Sequence, residues 1–247
     1  MGFFKTIYRC FDVLADMILD NGEYKDTASV GERLTYNELR FSFPKKRILR
    51  NVYIYSEDGK LTEIDIVLLT KNGVFVLESK NYDGWIFGDE SLPKWTQTFK
   101  NGSKYPMPNP IIQNANHINK LRSFFADFKD VNFLSVIVFS DRCKLKSISI
   151  SDNNTRITHR KHLVKTIKEL MASNDVCFTD DEFDIITEML SPFSRPPAEI
   201  KERHLQELNE PLSRCPRCGQ SLVKKTNKYT GQEFMGCKGF PACKYSR

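Results

Sequence analysis

Residues 63–80 read EIDIVLLTKNGVFVLESK, and this stretch decides the fold of the chain. Two apolar, β-rich runs flank Lys71-Asn72-Gly73, and an Asn-Gly pair between two such runs is a strong signal for a tight hairpin. Further β-rich runs at 47–55 and 132–139 alternate with segments of helical periodicity. The sequence therefore predicts a mixed α/β domain built around a central sheet.

Charged residues interrupt both strands of this hairpin. Because alternate side chains of a strand share a face, Glu63 lies beside Asp65 and Glu78 lies beside Lys80. A buried carboxylate is costly unless it is paired or bound to a metal. Two acids and a lysine at the end of a hairpin suit Mg²⁺, which binds one or two carboxylates and keeps several waters. The alternative is a structural salt bridge from Lys80 to Glu78 or Asp65.

The remaining elements and the domain boundaries follow from periodicity and from prolines. Helices are predicted at residues 4–19, 29–39, 109–128, 161–172 and 180–190, and strands at 47–55, 62–70, 73–79, 132–139 and 146–150. Prolines near residue 192 stop a helix because they cannot continue its hydrogen bonds. The predicted organisation is an amphipathic N-terminal helix (1–27), an α/β domain (28–190), a linker (191–213) and a small module (214–247).

Composition and charge narrow the function classes. With 40% hydrophobic and 28% charged residues the chain is globular, and it has no apolar run of transmembrane length. The N-terminus lacks the pattern of a signal peptide, so we expect a cytoplasmic protein without a membrane partner. Residues 1–199 hold 27 Lys+Arg and 27 Asp+Glu, whereas residues 200–247 hold 10 and 4. This asymmetry suggests a polyanionic partner, and a solvated basic tail is the alternative.

Four cysteines in the tail have the spacing of a zinc site. Cys215, Cys218, Cys237 and Cys243 form the pattern C-x2-C-x18-C-x5-C. The first pair forms a tight knuckle, and the second pair follows after a hairpin-length excursion, which together complete a tetrahedral site. The sequence predicts structural zinc, with disulfides or free thiols as the alternative.

The tail resembles the C-terminal zinc ribbon of bacterial type I DNA topoisomerases. The likeness runs through Leu222-Val223, Lys224-Lys225, Gly231 to Cys237 and Pro241 to Cys243, and it implies binding of single-stranded DNA. Interleaved lysines and aromatic rings agree, because lysines contact phosphates and rings stack on bases. The residues expected to bind nucleic acid are Lys224, Lys225, Lys228, Tyr229, Phe240, Lys244 and Tyr245. A purely structural ribbon is the alternative, and we expect Phe234 to fill the ribbon's core.

The hairpin and its surroundings resemble the nuclease-related domain (NERD) family, a branch of the PD-(D/E)xK nucleases. Asp65, Glu78 and Lys80 match the core pattern D-x12-E-x-K. The other landmarks are Gly31-Glu32, Glu63-Ile64-Asp65, Gly73 to Asn81, Gly84-Trp85-Ile86, Asn109-Pro110-x-x-Gln113 and Val136 to Ser140. The likeness covers residues 28–141 and implies a restriction-endonuclease-like fold.

The resemblance implies metal-dependent hydrolysis of phosphodiester bonds in DNA. Asp65, Glu78 and the carbonyl of Ser79 would bind Mg²⁺ or Mn²⁺, which polarises the phosphoryl group and acidifies a water. Lys80 would orient that water or stabilise the developing charge. Glu32 matches the family's helical acid and would bind metal or position Lys80. Its placement near a helix N-terminus equally suits a favourable interaction with the helix dipole.

Two residues depart from the family pattern. Ile66 stands where many members have His directly after the Asp, and Ser79 stands where Val or Ala is common. Gln113 matches a landmark on its helix. Apolar residues at 111, 112, 115, 118 and 121 predict that Gln113 points away from the core, on one face with Asn116, His117 and Lys120. We expect that face to contact DNA or to be an ordinary solvated surface.

The function expected from the sequence is a Mg²⁺- or Mn²⁺-dependent deoxyribonuclease, most simply an endonuclease, whose ribbon holds single-stranded or branched DNA. No small-molecule cofactor is expected, and a homodimer is compatible with cutting both strands. A nucleic-acid-binding adaptor with an inactive nuclease core is the main alternative, because of Ile66. A signalling protein that uses the α/β domain to bind another protein is the second alternative.

Overall fold

The computed structural model describes residues 27–55, 61–194, 200, 202, 218, 220–226 and 233–246. The chain divides into two compact units, Met1–Pro196 and Pro197–Arg247. The N-terminal helix predicted for residues 1–27 lies outside the described residues except for its last residue. Among the described helices, each is too short or too polar to cross a membrane.

The described part of the front unit alternates strands and helices. Its helices are α1 (Thr27–Arg40), α2 (Pro110–Leu121), α3 (Leu163–Ala172) and α4 (Asp180–Leu190). Its strands are β1 (Ile48–Tyr55), β2 (Leu61–Thr70), β3 (Gly73–Lys80), β4 (Gly84–Asp89), β5 (Lys94–Thr98), β6 (Lys104–Pro108), β7 (Phe133–Phe139), β8 (Cys143–Ser149) and β9 (Thr155–His159).

A five-stranded sheet with the order β1-β2-β3-β7-β9 forms the centre of the front unit. β1, β2 and β3 are antiparallel neighbours, whereas β3, β7 and β9 run parallel. Thr70 pairs with Gly73, so Lys71 and Asn72 form the two-residue turn of the predicted hairpin. The mixed α/β architecture with a central sheet is therefore confirmed.

Both faces of the central sheet are buried. One face packs with α2 and α4 through a cluster that includes Val67, Val76, Leu121 and Ile186. The opposite face packs with α1 and α3 through a cluster that includes Leu39, Ile66, Leu77 and Ile167. Burial on both faces explains why β3 and β7 are nearly continuous apolar runs.

A second sheet, with the order β6-β5-β4-β8, packs against the end of the first. Its inner side carries Ile86, Trp95 and Met107, which pack with Ile137 and Phe139 of β7. The sequence predicts β8 in part, at 146–150 rather than 143–149, and does not predict β4, β5, β6 or β9. These strands are short, and β6 contains two prolines, so their local pattern is weak.

Two predicted boundaries differ from the structure. The helix predicted at 109–128 ends at Leu121 and continues as a 3-10 turn, which brings Phe125 into the core. The linker predicted from residue 191 begins with residues that pack on the front unit. Ser194 bonds both backbone groups of Arg50, and Phe193 contacts Phe124 edge to face.

The described part of the C-terminal unit is an antiparallel hairpin of β10 (Leu222–Thr226) and β11 (Glu233–Cys237). Its apolar cluster is small and consists of Leu222, Cys237 and Cys243, with Met235 and Tyr245 packed at its side. Phe234, which we expected in this core, is half-buried and lies outside the cluster. It is on the face of Gly236 and Lys225, because a side chain at Gly236 would meet both residues.

Candidate active site

The pairing between β2 and β3 ends next to the acidic residues Asp65 and Glu78. The ladder between β2 and β3 ends at the pair Ile66 and Leu77. Beyond that pair, Oδ2 of Asp65 accepts a hydrogen bond of 2.7 Å from the backbone N–H of Ser79. A carboxylate thus replaces a backbone partner, which fixes Asp65 beside the acidic end of β3.

Glu78 and Lys80 lie on the face of β3 that meets α2. Nζ of Lys80 is 2.7 Å from Oε1 of Glu78, and it donates a 2.9 Å hydrogen bond to Oε1 of Gln113. Nδ1 of His117 is 3.5 Å from the other carboxylate oxygen of Glu78. Glu78 is only 2% exposed. The lysine is therefore held between a buried acid and an amide from the neighbouring helix.

Ser79 points to the opposite side of β3, toward α1. Its hydroxyl is 2.9 Å from that of Thr35, and Thr35 donates to the carbonyl of Gly31. A Cβ on Gly31 would lie 2.7 Å from Cβ of Asn81, so only glycine lets α1 approach the end of β3 this closely. This close approach accounts for the glycine directly before Glu32.

Asn51 joins two further acids of the site. Its side-chain amide donates to Oε2 of Glu32 at 3.0 Å and to Oε1 of Glu63 at 2.8 Å. The amide group thus connects α1 to β2. Asn51 has a positive φ of 47°, a conformation that asparagine tolerates better than most residues. Tyr53 also belongs to this group, because burial and the charge of Glu63 raise its pKa.

The strand alternation shifts by one residue at Asn51 and Asp65. Leu49 and Val52 belong to the same core cluster although they are three positions apart, and the same holds for Ile64 and Val67. Strict alternation would place the members of each pair on opposite faces. Because of this shift, the side chain of Asp65 lies on the same face of the sheet as that of Glu63, the face that packs with α1. The shift occurs where the β1–β2 ladder omits the pair of Asn51 and Asp65.

Burial and neighbouring negative charges raise the affinity of Asp65 and Glu78 for protons. Burial and the charges of Glu78 and Glu32 raise the pKa of Asp65 well above its ordinary value. The hydrogen bond from the Ser79 N–H and the charge of Lys80 lower this pKa, but by less. Burial also raises the pKa of Glu78, although Lys80 opposes that shift. Burial disfavours the charge on Lys80, but Glu78 outweighs it and raises the lysine's pKa.

This arrangement fits a divalent cation. Oε2 of Glu78 is buried and accepts no hydrogen bond from the described residues. An acceptor left in this state is costly, and a cation would satisfy it. Negative charge from Glu78 and Glu32 acts on Asp65, and Lys80 compensates only part of it. Oxygen donors of this kind are the ligands that Mg²⁺ and Mn²⁺ prefer.

Helix α2 packs on the sheet through a mixed face, so the predicted apolar stripe is confirmed only in part: Ile118 and Leu121 are buried in the core. Ile112 and Ala115 are exposed, whereas Asn114 and His117 are buried. Asn114 donates to the carbonyl of Val76 and to Ser135, so polar groups of the sheet hold this face of the helix. Gln113 does reach the site. His117, expected on a solvated face, lies against Glu78, and burial lowers its pKa to about 4.

Asn51 provides a direct test of the carboxylate bridge. Asn51→Gly relieves the positive φ but removes two hydrogen bonds to carboxylates, and we expect it to lower the free energy of unfolding by about 1–2 kcal/mol. Asn51→Asp should cost more, because it adds a third negative charge. Urea denaturation measures both changes. Asp130, which is exposed and has a φ of 54°, provides the matched control. Asp130→Gly should be near neutral, and an Asn51→Asp protein as stable as the parent would refute the bridge.

Three cysteines of the C-terminal unit lie together. The sulfur atoms of Cys218, Cys237 and Cys243 are within 4.8 Å of one another, and those of Cys218 and Cys237 are 3.3 Å apart. The N–H of Gly239 points to the sulfur of Cys237. Such N–H donors stabilise thiolates. Cys215, the fourth predicted ligand, lies outside the described residues, and the three that are described support structural zinc.

The lysines and rings predicted to bind nucleic acid are in different environments. Lys224 pairs with Glu233, and Lys225 donates to the carbonyl of Cys237 and lies 5.2 Å from the ring centre of Phe240. Phe240 is 61% exposed and Lys244 is exposed. Tyr245 is half-buried beside the cysteines. Lys228 and Tyr229 lie outside the described residues.

Comparison with known proteins identifies both units. Residues 27–140 match the nuclease-related domain, and residues 213–247 match the topoisomerase DNA-binding C4 zinc finger. An uncharacterized protein of Bacillus anthracis is 30% identical over 186 residues, which cover 74% of this chain and 84% of that protein.

Other relatives match only the C-terminal unit. DNA topoisomerase 1 of Methanothermobacter thermautotrophicus is 45% identical over 40 residues, or 16% of this chain and 5% of that enzyme. DNA topoisomerase 1 of Mycoplasma genitalium is 44% identical over 46 residues, or 19% of this chain and 6% of that enzyme. No solved structure gives a significant match. Both resemblances stated from the sequence are confirmed.

Proposed function

Because the chain belongs to the nuclease-related domain (NERD) family and carries a topoisomerase-type C4 zinc ribbon, we propose that it is a Mg²⁺- or Mn²⁺-dependent deoxyribonuclease. In this proposal the front unit is a PD-(D/E)xK core that hydrolyses phosphodiester bonds as an endonuclease. The zinc ribbon holds DNA of single-stranded or branched character.

One observation carries the catalytic part of the proposal. Asp65 accepts a hydrogen bond from the backbone N–H of Ser79, which lies between the ion-paired Glu78 and Lys80, and the buried Oε2 of Glu78 has no hydrogen-bond partner among the described residues. Lys80 pairs with Oε1 of Glu78, and Nδ1 of His117 is 3.5 Å from Oε2, so the salt bridge leaves Oε2 available to a further ligand. A metal site uses it, since carboxylates that repel each other are stabilised by a cation.

Asp65 and Glu78, with the carbonyl of Ser79, are the groups that would hold the cation. When bound, it would polarise the phosphoryl group and lower the pKa of a water. The chain's own contribution is positioning. Gln113 and Glu78 hold Nζ of Lys80, so the ammonium is oriented before substrate arrives and can donate to the attacking water or to the developing oxyanion.

Neither departure from the family pattern disturbs this set. Ile66 belongs to the apolar cluster under α1 and α3, away from the polar groups of the site. The hydroxyl of Ser79 forms a hydrogen bond with Thr35 on the opposite side of β3. In this proposal it is the backbone carbonyl of Ser79 that binds the cation. Glu32 is joined to Glu63 through Asn51. In this proposal Glu32 fixes the charge around the cation instead of contacting Lys80.

The ribbon supports the DNA-binding part. Lys225 and the exposed Phe240 lie together, with Phe234 on the same face of the hairpin. Cations contact phosphates, and exposed rings stack on unpaired bases. This combination favours single-stranded regions of DNA over a continuous duplex.

The test is cleavage of single-stranded, duplex and forked DNA with Mg²⁺ or Mn²⁺. Asp65→Asn keeps the shape of the side chain but removes its charge, so we expect the rate to fall on the order of 10²- to 10³-fold while DNA binding remains. Asp181→Asn, on the exposed start of α4, is the matched control and should cut normally. If the parent leaves every substrate intact yet binds DNA in a salt-dependent way, the chain is an adaptor and the nuclease proposal is wrong.

A further inference from the structure

The outer face of the four-stranded sheet carries a regular pattern of rings and cations. The inner side of this sheet is occupied by Ile86, Trp95 and Leu145, which pack into the core. Because side chains alternate along a strand, their neighbours in sequence point outward. We call the outward set Trp85, Phe87, Lys94, Lys104, Lys144 and Lys146 the outer face.

Two aromatic residues lie in the middle of the outer face. Trp85 and Phe87 are two positions apart on β4, a central strand of the sheet. Trp85 is half-buried and Phe87 is 37% exposed. Their neighbours on β5 are Thr98 and Thr96, which are small and leave the rings accessible from above.

Lysines border these rings on both sides. Lys144 pairs with Trp85 and Lys146 pairs with Phe87 across the parallel β4–β8 ladder. On the other side of the rings, Thr98 of β5 pairs with Trp85, and Lys104 of β6 pairs in turn with Thr98. Lys94 is the first residue of β5. All four lysines are exposed. Asp89, the last residue of β4, lies at the far end of the outer face. Its carboxylate accepts hydrogen bonds from the backbone N–H and the hydroxyl of Ser91.

The row of cations leads to the candidate active site. Arg142 lies in the turn directly before β8, two positions before Lys144. Arg142 also lines a pocket of about 420 Å³ together with Lys80, Asn81 and Tyr82. Its guanidinium donates to the backbone and side-chain oxygens of Asn81. Through Arg142, the start of β8 therefore lies beside the pocket that contains Lys80.

From this geometry we propose that the outer face binds single-stranded DNA and passes the strand along β8 to Lys80. The bases stack on Trp85 and Phe87, while Lys144, Lys146 and Arg142 contact successive phosphates. Unpaired bases are required, because a duplex buries the ring faces that would stack. The inference rests on the proposed nuclease function only in treating this strand as the substrate.

In this proposal the front unit also binds DNA, whereas the charge distribution along the sequence suggested that role for the basic tail alone. Residues 1–199 are neutral in total, yet the front unit concentrates lysines on one sheet face. The ribbon then holds DNA at a second position. Two tethered contacts on one strand bind more tightly than either contact alone.

Tryptophan fluorescence of the full chain tests the outer face separately from the ribbon. The chain has two tryptophans, and residues 213–247 contain neither of them. Trp95 is 1% exposed, so stacking on DNA can quench only Trp85. Titration with a short oligothymidylate, without added divalent cation, should quench the emission. Trp85→Phe should remove the quenching, because the buried Trp95 is then the remaining tryptophan.

Charge reversal supplies the second arm of the experiment. The double variant Lys144→Glu and Lys146→Glu should weaken quenching-detected affinity by about tenfold or more, and lower the slope of log affinity against log salt by about 1.4, because each single-strand phosphate contact contributes about 0.7. Lys165→Glu with Lys168→Glu, on exposed positions of α3, makes the same charge change elsewhere and should have a smaller effect. Phe87→Ser should weaken binding about tenfold through lost stacking.

The outcomes separate this proposal from the nuclease proposal. Quenching without cleavage would support the outer face and contradict the nuclease. Cleavage without quenching, equal quenching by a matched duplex, or equal effects of the two double variants would overturn the outer face and leave the nuclease standing.

Discussion

Replacing Lys80 by methionine is expected to abolish DNA cleavage and to lower the free energy of unfolding by about 3 kcal/mol in the absence of metal. Nζ of Lys80 is 2.7 Å from the carboxylate of Glu78, which is 2% exposed. Removing one partner of a buried pair leaves an uncompensated charge, which costs about 3–5 kcal/mol. In the parent, burial, Lys120 and Lys80 lower the pKa of His117 to about 4, and burial and Lys120 continue to oppose a charge on His117 in the variant.

Urea denaturation and two comparison proteins make this prediction specific. The double variant Lys80→Met and Glu78→Gln should recover part of the lost stability, because the isolated charge is gone. Lys71→Met breaks a contact of the same length, 2.7 Å to Asp180, but at exposed side chains, and it should cost less than about 1 kcal/mol. Equal losses for Lys80→Met and Lys71→Met would contradict the buried pair.

The central sheet could be predicted from sequence because its strands are strongly patterned. β2, β3 and β7 are long apolar runs bounded by turn residues, and the Asn-Gly signal locates the hairpin. The second sheet could not, because β4 and β6 contain glycines or prolines and bury one face only. Such strands are stabilised by packing against Ile137 and Phe139, which are distant in sequence.

The residues of the candidate site likewise include some that the sequence predicts and some that it does not. Spacing along two adjacent strands brings Asp65, Glu78 and Lys80 together, and the family landmark locates Gln113. Asn51 escapes sequence analysis, because its role depends on a positive φ and on acids from α1 and β2. The polar residue inside a β-rich run was the available signal. His117 escapes because a helical wheel assigns burial to the apolar side chains alone, whereas α2 buries Asn114 and His117 as well as Ile118 and Leu121.

The largest expected effect on the C-terminal unit comes from Cys237→Ser. Four thiolates are predicted to hold one structural zinc ion, and such ions contribute about 10–16 kcal/mol to small domains at neutral pH. The ribbon's own apolar cluster is small, so it cannot replace that energy. We expect the zinc content to fall from about one ion per chain to near zero, the ribbon to unfold, and DNA affinity to decrease. Atomic absorption and circular dichroism measure the first two changes.

The same variant shows which unit performs each task. Cys177→Ser, at a half-buried cysteine of the front unit, is the matched control and should keep its zinc. Because the two units are compact separately, the front unit of the Cys237→Ser protein should keep its own unfolding transition and cut DNA at saturating concentration. Its rate at low DNA concentration should fall, since the ribbon no longer holds the strand. Lost cleavage at saturating DNA, with an intact front unit, would mean that the ribbon acts in the chemistry itself and not only in binding.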